Sequence, residues 1–335
     1  MKTYSVVFPR PGRVELIEEE LPRLNAGEVI CQAERSLISV GTELQCLRGI
    51  FDPGTNWENW VKYPFRPGYC MASRVVEIGS GVGNLKIGQL VSSRHPHRQF
   101  FVARAEELIP VPDEVASEEA AWVPVSLTAQ QGVRRAALVL GETVGVVGLG
   151  IIGQSVVEYV RLLGPRWILG IDTSSTRVKI SEAGGFTTGY TGTAETAFHA
   201  VADMTEGRML DVLFEITGNP RVLESTIPLV RTMGKIVLIG DTSTPTRQNL
   251  GPGVVSNSIS IIGSHLMTFP EHPSVFSPWG YQEMAQLFFK YLISRRINVR
   301  RLISHVVDFR SVPELYARIE SNRSEYVGIL IDWSK

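Results

Sequence analysis

The sequence predicts an α/β protein that combines a doubly wound parallel sheet with a separate, mostly β domain of barrel type. Before about residue 120, runs of strand length follow one another with Gly and Pro between them, which is typical of a β domain. After that point, apolar runs alternate with helical patterns, as in a series of βαβ units. A glycine-rich turn at residues 148–153 joins the first of these runs to a helix.

Length, composition and charge are those of an ordinary globular protein. The 335 residues suffice for two domains with their own cores, and 44% of them are hydrophobic and 20% charged. A formal net charge of −1 gives no reason to expect nucleic acid or a membrane surface as a partner. The longest apolar runs have the length of a strand, so no transmembrane helix is predicted.

The N-terminal residues and the cysteines favour a cytoplasmic protein. Residues 1–3 lead directly into a strand-like run at 4–8, so no signal peptide is expected. Cys31, Cys46 and Cys70 have no C-x-x-C spacing. Three such cysteines are typical of a reducing compartment rather than of a disulfide framework.

The first predicted domain comprises residues 1–120 and is completed by residues 297–335. Strands are predicted at residues 4–8, 13–18, 28–34, 72–78 and 99–104, and residues 85–91 are expected to form a turn that leads into another strand. The C-terminal part is predicted to return to this domain as a strand at 302–308, a helix at 312–321 and a strand at 326–333.

The second predicted domain comprises residues 121–296. Its strands are expected at 143–148, 167–171, 211–215, 235–239 and 258–263, with helices between them. A helix is predicted at 118–140, where Pro124 allows a break, and another at 221–233, ended by Gly234 at the C′ position. Residues 281–296 form an amphipathic pattern whose apolar stripe is assigned to the core.

The glycine-rich turn has the spacing of a dinucleotide-binding site. After the apolar run at 143–147, the residues Gly148-Leu149-Gly150-Ile151-Ile152-Gly153 form a G-x-G-x-x-G and open a helical pattern that Gly164-Pro165 ends. A second apolar run ends in Asp172, 19 residues after Gly153. A glycine-rich turn with an incidental Asp is the alternative, but strand, helix, second strand and acid all stand in the order of a Rossmann domain.

Each part of this motif has a physical role in holding a dinucleotide. Gly148 allows the tight turn, Gly150 lets the backbone approach a pyrophosphate, and Gly153 lets the helix pack closely on the strand. Asp172 can accept hydrogen bonds from both ribose hydroxyls, which favours NAD over NADP because a 2′-phosphate would face a carboxylate. Arg177 is expected to cover the adenosine side.

The order of these parts resembles the medium-chain dehydrogenase/reductase superfamily, which includes alcohol, sorbitol and threonine dehydrogenases. The resemblance covers essentially the whole chain and implies a GroES-like catalytic domain beside the Rossmann domain. It depends on six segments besides the glycine motif: ISVGTEL at 38–44 for I-C-G-T-D-L, PGYC at 67–70 for P-G-H-E, RVVEIG at 74–79, GQLV at 88–91 for G-D-R-V, EITG at 215–218 for D-x-T-G, and GKIVLIG at 234–240.

The departures from this resemblance predict an enzyme without zinc. The positions that bind the catalytic metal in zinc-dependent members are Val40, Tyr69-Cys70 and Val123 here, and one cysteine cannot supply three ligands. No cysteine stands at residues 91–104, where the structural zinc lobe of the superfamily would follow. The pair of histidines at 95 and 97 could bind a metal with an outside carboxylate, although solvated or hydrogen-bonded histidines are the commoner outcome.

The resemblance also implies candidates for proton transfer. Thr42 matches the hydroxyl that relays the proton in zinc-dependent relatives, while Gln45 replaces the histidine that often continues the relay. Tyr69, at a former ligand position, is the first candidate acid, because a phenol can donate to a carbonyl oxygen; its alternative role is to fill the space left by the metal. Glu43 is expected to orient Thr42, act as a base or make a structural hydrogen bond. His95 and His97 are expected near the same cleft, titrating near neutrality.

Further cofactor contacts follow from the resemblance. Thr217 and Gly218 are expected along the adenosine side, and residues Gly240, Asp241 and Thr242 follow a strand end whose loop touches the nicotinamide in relatives. His265 is expected near the nicotinamide end, with an ordinary loop histidine as the alternative.

Together these features predict a zinc-independent NAD(H)-dependent oxidoreductase that transfers hydride between nicotinamide and a secondary alcohol or ketone. The variant SVGTE at 39–43 is similar to the S-x-G-T-E of a zinc-less branch with bacteriochlorophyllide and sugar dehydrogenases, which suggests a ring alcohol of a sugar, cyclitol or natural product. An enone or quinone reductase and a non-catalytic dinucleotide-binding protein are the alternatives. The expected partners are a small-molecule substrate and further copies of the chain, in a homodimer or homotetramer joined through the strand near 258–263.

Overall fold

The chain forms two compact units. The computed structural model describes residues 1–185, 187–270 and 273–334. The first unit comprises residues 1–49, 56–125 and 273–335, and the second comprises residues 50–55 and 126–272. Residues 273–296, expected in the second domain, therefore belong to the first unit. Their helix packs beside residues 110–112 of that unit, where Phe289 and Ile293 line a shallow apolar groove together with Pro110 and Val111.

Strands form two sheets in the first unit and the central sheet of the second. In chain order they are β1 (Lys2–Arg10), β2 (Arg13–Glu20), β3 (Glu28–Ile38), β4 (Met71–Ile78), β5 (Leu90–Ser93), β6 (Phe100–Arg104), β7 (Ile109–Pro110), β8 (Thr143–Val147), β9 (Trp167–Asp172), β10 (Thr188–Thr191), β11 (Leu210–Glu215), β12 (Val230–Leu238), β13 (Ser260–Gly263), β14 (Ile303–Asp308) and β15 (Gly328–Asp332).

Helices connect the parallel strands of the second unit and flank the sheets of the first. In chain order they are α1 (Val40–Arg48), α2 (Asn56–Trp60), α3 (Ser117–Ala120), α4 (Val123–Ala136), α5 (Ile151–Val160), α6 (Ser175–Glu182), α7 (Phe198–Thr205), α8 (Val222–Thr226), α9 (Tyr281–Ile293) and α10 (Val312–Ser321). Within the described residues, no helix is both long and apolar enough to cross a membrane.

The second unit confirms the predicted doubly wound parallel sheet. Its strand order is β10-β9-β8-β11-β12-β13, and every neighbouring pair is parallel. All residues of β8 are buried, as expected of a central strand with both faces covered. The connections change direction between β8 and β11, so the carboxyl ends of these two strands form the switch point at which open parallel sheets bind ligands.

The first unit is mostly β and antiparallel. β1 and β2 form a hairpin, while the larger sheet has the order β14-β15-β3-β4-β5-β7, with β6 paired to β3. β3 and β4 are antiparallel with Ser36 opposite Met71. The end of β3 and the start of β4 therefore lie at the same edge of the sheet, which brings residues 39–43 close to residues 67–70.

The prediction of a helix at 221–233 is wrong. α8 ends at Thr226, a 3₁₀ turn covers Ile227–Leu229, and β12 begins at Val230. Pro228 explains the early end, because its ring clashes with the preceding turn and it has no N–H to continue the helix. The helix predicted at 118–140 is likewise divided, into α3 and α4, just before Pro124.

Candidate active site

The first candidate site lies where β3 ends and α1 begins. The backbone N–H of Leu37 donates to the carbonyl oxygen of Cys70 at 2.9 Å, which fixes the segment before β4 against the end of β3. Ser39 is the N-cap residue of α1, and Thr42 lies in its first turn. The two predicted motifs at 38–44 and 67–70 are therefore neighbours in space.

Three hydroxyl groups meet at this point and form a hydroxyl triad, Tyr69, Ser39 and Thr42. The Tyr69 phenol donates to Ser39 Oγ at 2.7 Å, and the Ser39 hydroxyl donates to Thr42 Oγ1 at 3.3 Å. Thr42 Oγ1 lies 3.5 Å from Tyr69 Oη, which closes the ring. Ser39 is buried, whereas Tyr69 and Thr42 are partly exposed. The ring is thus accessible at two of its three members.

Glu43 lies behind the triad in a buried polar network. Its Oε1 accepts from the backbone N–H of Ser39 at 2.8 Å, and its Oε2 lies 3.1 Å from Nε2 of His97. The Tyr316 phenol donates to the same Oε2, and burial beside this carboxylate raises the pKa of Tyr316 well above its usual value. Glu43, His97 and Tyr316 are each 1% exposed. These contacts give Glu43 the structural hydrogen bonds that were one of its three expected roles.

The far side of the network is anchored by Ser36. The Trp333 indole N–H donates to Ser36 Oγ at 2.8 Å, and Ser36 Oγ lies 2.8 Å from Nδ1 of His97. Ser36 Oγ accepts from Trp333 and can either donate to His97 Nδ1 or accept from it, since a hydroxyl has one proton and two lone pairs. Gly68 completes the packing, since a Cβ at this position would lie 2.7 Å from the His97 ring. His97 was expected near this cleft, whereas Tyr316 and Trp333 were not predicted as site residues, and only contacts across the fold reveal them.

His95 lies apart from this network. Its ring stacks on Phe101 with centroids 3.9 Å apart, and its Nδ1 is buried without a hydrogen-bond partner among the described residues. Burial and the positive charge of Arg98 lower the pKa of His95 to about 4. The ring is therefore neutral at neutral pH, which differs from the expected titration near neutrality and makes it unable to serve there as a cationic acid.

Three of the residues that match zinc-ligand positions are buried. Val40, Cys70 and Val123 are buried, and burial together with the charge of Glu43 raises the pKa of the Cys70 thiol well above its usual value. Across residues 1–185, 187–270 and 273–334, no group of three or more His, Cys, Asp and Glu side chains is arranged to hold a metal ion.

The second candidate site lies in the second unit, at the carboxyl end of β8. Gly148 has a φ of +95° and its N–H donates to the Ile171 carbonyl oxygen at 2.9 Å. A Cβ on Gly153 would lie 1.9 Å from the Gly148 carbonyl oxygen, so α5 can approach the strand only without a side chain there. Gly150 is the N-cap residue of α5, and a Cβ on it would meet nothing within 4 Å. The space beside Gly150 and the free N–H groups of Ile151 and Ile152 fit a bound pyrophosphate.

Asp172 ends β9 beside this turn and is held in a fixed orientation. Its Oδ2 accepts from the Leu149 N–H at 2.7 Å, and its Oδ1 accepts from the Ser174 N–H at 2.8 Å. Nη1 of Arg177 lies 3.8 Å from Oδ2. A carboxylate has about four lone-pair sites, so both oxygens can still accept from ribose hydroxyls. The structure therefore brings Asp172 and Arg177 together with the glycine turn.

Gln154 is a further member of this site that the sequence analysis missed. Its Nε2 donates to the Leu149 carbonyl oxygen at 3.3 Å and to the Arg177 carbonyl oxygen at 2.9 Å. The side chain is completely buried. Gln154 thus connects the glycine turn to α6, and the signal that could have identified it is its place directly after Gly153 of the glycine motif.

The loop after β11 packs against the glycine turn. Glu215 is 1% exposed, and its Oε1 accepts from the Thr217 N–H at 2.7 Å and from the Thr217 hydroxyl. Burial raises the pKa of Glu215 to about 7. A Cβ on Gly148 would lie 3.1 Å from the Thr217 Cγ2, so the two loops are in close contact.

The loop after β12 contacts the same region. A Cβ on Gly240 would lie 2.4 Å from the Gly218 nitrogen, which requires glycine at residue 240. Asp241 is exposed, while Thr242 is buried and its Oγ1 accepts from the Thr244 N–H at 3.3 Å. The residues predicted on these two loops thus meet at the carboxyl edge of the sheet.

His265 is placed differently from the other predicted cofactor residues. It is exposed, and its Nδ1 accepts from the Met267 N–H at 3.3 Å, capping the 3₁₀ turn at Leu266–Thr268. This contact is the ordinary loop role that was the alternative for this residue.

Comparisons with known proteins agree with this architecture. The sequence model of the zinc-binding dehydrogenase family matches residues 152–279. Sorbitol dehydrogenase of Bacillus subtilis (strain 168) is 25% identical over 244 residues, 63% of this chain and 69% of the relative. D-Guloside 3-dehydrogenase of Escherichia coli (strain K12) is 24% identical over 342 residues, 96% of this chain and 97% of the relative.

Solved structures share the complete fold. A protein from Sinorhizobium meliloti 1021 bound to NADP superposes with a TM-score of 0.81 at 18% identity, covering 99% of both chains. A protein described as a short chain alcohol dehydrogenase from Escherichia coli CFT073, complexed with NADH, gives a TM-score of 0.80 at 18% identity and covers 99% of both chains. These solved structures show the fold, and the sequence relatives, which are dehydrogenases by name, support an oxidoreductase.

Proposed function

We propose that this oxidoreductase of the medium-chain superfamily transfers hydride between NAD(H) and a secondary alcohol or ketone without zinc. The observation that carries the proposal is the hydroxyl triad, in which the Tyr69 phenol stands at a zinc-ligand position and hydrogen-bonds to Ser39 at 2.7 Å. Such a phenol can donate a proton to the substrate oxygen or accept one from it. In zinc-dependent relatives, the metal binds this oxygen instead.

The second unit has the residues to hold the dinucleotide. The glycine turn and the first N–H groups of α5 would bind the pyrophosphate, and Asp172, fixed by two backbone N–H groups, would accept from the ribose hydroxyls. The charge of Asp172 favours NAD, because the 2′-phosphate of NADP would be repelled. When bound, the cofactor supplies or accepts the hydride, and the protein provides orientation, exclusion of water and the proton.

The proton is assigned to Tyr69. Burial raises the pKa of its phenol well above the usual value, so the group is protonated at neutral pH. A protonated phenol acts as a general acid toward a carbonyl oxygen in the direction of ketone reduction. Tyr69 is only partly buried as a residue, unlike Ser39 beside it.

The side chains at the positions that match zinc ligands support a mechanism without zinc. A catalytic zinc needs three ligands from N, S or carboxylate groups. Two of the matching positions hold valines, Tyr69 is engaged with Ser39, and the nearby carboxylate of Glu43 is engaged with Ser39, His97 and Tyr316. Cys70 is left as a single buried thiol, and one thiol cannot supply the three ligands.

A ring alcohol of a sugar, cyclitol or related natural product is the proposed substrate class. The relative that matches nearly the full chain is named for a dehydrogenation at position 3 of a guloside, and the other is a sorbitol dehydrogenase. Both act on polyhydroxylated compounds by name, which agrees with the similarity of residues 39–43 to the zinc-less sugar dehydrogenase branch.

The deciding experiment follows NADH consumption by enzyme that has been treated with EDTA and checked for zinc content. Matched saturated ketones and α,β-unsaturated ketones are offered, keto-sugars and keto-cyclitols included, and the products are identified. Turnover of saturated ketones to alcohols supports the proposal. Reaction of the enones alone, with loss of the C=C bond, would make the protein an enone reductase, while tight NADH binding without any turnover would make it a non-catalytic dinucleotide-binding protein.

Zinc analysis provides a separate test of the metal-free mechanism. The purified protein is expected to contain no stoichiometric zinc and to keep its activity in EDTA. One tightly held equivalent of zinc per chain, removed together with activity, would contradict zinc independence and leave the hydride transfer itself in place.

We further propose a cytoplasmic homodimer or homotetramer. The cysteines Cys31, Cys46 and Cys70 are buried free thiols, in agreement with a reducing compartment. β13 is the last strand in the sheet order of the second unit, and strands at such an edge can pair with a second copy. Light scattering on the purified protein, repeated with Ile261→Pro, tests whether the assembly depends on this strand.

A further inference from the structure

The Ser39 hydroxyl does not make the hydrogen bond that is usual at its position in the helix. It is the N-cap residue of α1, where a serine side chain usually accepts from a backbone N–H of the first turn. Here the Ser39 side chain makes no such hydrogen bond. The start of the helix is held instead by Glu43, whose backbone N–H donates to the Ser39 carbonyl oxygen at 2.9 Å and whose carboxylate accepts the Ser39 N–H at 2.8 Å.

The Ser39 hydroxyl instead hydrogen-bonds to both other members of the triad. It accepts the phenolic proton of Tyr69 at 2.7 Å and donates its own proton to Thr42 at 3.3 Å. The contact between Thr42 and Tyr69 is longer, at 3.5 Å. The continuous path between the partly exposed phenol and the partly exposed threonine therefore runs through the buried serine.

We propose that Ser39 is a positioning residue that orients the Tyr69 phenol and restores its proton from Thr42 after each turnover. This inference deepens the proposed function and depends on it for the chemical step. In ketone reduction, the O–H bond of Tyr69 breaks and a new O–H bond forms on the substrate oxygen. Ser39 then gives its proton to the Tyr69 oxygen, Thr42 gives its proton to Ser39, and a proton taken up from the bulk solvent through water beside Thr42 replaces the last one.

The backbone around Ser39 is suited to this role. Its N–H is fixed by Glu43, which in turn contacts His97 and Tyr316, all three of them buried. The serine side chain therefore has a rigid base and little freedom to leave the position between its two partners. The loss of this hydroxyl removes no helix cap, so the effect on turnover can be separated from an effect on α1.

The test compares Ser39→Ala with Ser39→Thr, which keeps a hydroxyl, and with Ser92→Ala as a matched control. Ser92 is also fully buried in the first unit, and its hydroxyl has no hydrogen-bond partner among the described residues. The first readout is the NMR signal of ¹³Cζ-labelled tyrosine, with the Tyr69 resonance assigned by its loss in Tyr69→Phe. The second is the rate of saturated-ketone reduction with its solvent deuterium isotope effect, alongside the NADH dissociation constant.

We expect Ser39→Ala to move the Tyr69 signal, to lower kcat about tenfold and to change the solvent isotope effect, because one hydrogen bond to the proton donor is lost. NADH affinity is expected to stay unchanged, Ser39→Thr to retain most of the activity, and Ser92→Ala to behave as wild type. A Tyr69 signal that stays in place in Ser39→Ala, or an unchanged kcat, would overturn the inference. If the wild type turns over no ketone, the proposed function fails, and the NMR arm still decides whether Ser39 positions Tyr69.

Discussion

Gly68 and His97 are fitted to each other, since a Cβ on residue 68 would lie 2.7 Å from the imidazole ring. Gly68 also has a φ of +97°, in the left-handed region that favours glycine. The residue immediately before Tyr69 therefore has no room for a side chain, because the buried histidine that contacts Glu43 occupies that space. The packing of Gly68 against His97 thus fixes the backbone position from which the Tyr69 side chain extends.

Gly68→Ala is expected to reduce the free energy of unfolding by about 3 kcal/mol or more, from backbone strain together with the collision. Gly81→Ala is the matched control, because Gly81 has a similar φ of +82° but nothing within 4 Å of the added Cβ. Gly81→Ala should lower the free energy of unfolding by only about 1 kcal/mol. Denaturant unfolding of both variants checks the difference, and equal losses would mean that the His97 contact is unimportant.

Tyr69→Phe is expected to lower the rate of ketone reduction about a hundredfold, as loss of a general acid typically does. NADH affinity should be nearly unchanged, because the residues proposed to bind the cofactor belong to the second unit. Tyr4→Phe, which changes an exposed tyrosine of the first unit, serves as the control. Steady-state kinetics and a direct NADH titration are the measurements. Unchanged turnover would reduce Tyr69 to a residue that fills space.

Asp172→Ala is expected to weaken NADH binding about tenfold or more, since hydrogen bonds to a charged group are lost. NADPH should be weakened less, because removal of the carboxylate also removes its repulsion of the 2′-phosphate. Fluorescence titration with both cofactors gives the two dissociation constants, with Asp203→Ala, an exposed position of the same unit, as the control. An equal loss for both cofactors would indicate that Asp172 does not face the ribose.

The glycine turn offers a comparison between two positions of one motif. Gly153→Ala is expected to destabilise the second unit by about 3 kcal/mol or more, because its Cβ would lie 1.9 Å from the Gly148 carbonyl oxygen. Gly150→Ala should leave the fold intact, since nothing lies within 4 Å of the added Cβ, but should weaken NADH binding by filling the space beside α5. Thermal unfolding and NADH titration separate the two effects. Normal NADH binding by Gly150→Ala would contradict the placement of the pyrophosphate.

Glu215 is expected to make stability depend on pH. Its pKa is raised from 4.5 to about 7 in the folded protein, so the folded state binds more protons than the unfolded state between these values. The free energy of unfolding therefore falls as pH rises through this range, by about 3 kcal/mol at most. Glu215→Gln should lack this decrease, whereas Glu206→Gln, at an exposed site, should keep it. Denaturant unfolding at a series of pH values tests the contribution, and identical pH profiles for wild type and Glu215→Gln would contradict it.

Local patterns were sufficient to predict the sheet of the second unit. Apolar runs of strand length became β8, β9 and β11 with bounds close to those expected, and α10 has the predicted bounds of 312–321. The prediction of a helix at 221–233 was wrong because Pro228 ends the helical pattern. Proline is a stronger local signal than periodicity. α1 was not predicted at all, because the segment at 38–44 was compared with a family motif rather than with helix signals.

The two candidate sites also differ in how far local sequence patterns could predict them. The glycine turn and Asp172 could be located from spacing, since a tight turn, a close helix and a strand end are features of neighbouring residues. The network around Glu43 could not be predicted, because its members come from distant parts of the chain. His97 is 54 positions from Glu43, and Tyr316 is 273 positions away.

By itself, the sequence determined the two-part architecture and the glycine turn, because strand periodicity and the steric demands of Gly148 and Gly153 are local properties. Only the tertiary structure decided that Ser39 lies between Tyr69 and Thr42 and that Glu43 is held by His97 and Tyr316. The physical reason is the antiparallel pairing of β3 with β4 and the return of the C-terminal segment to the first unit, which bring these side chains within hydrogen-bonding distance.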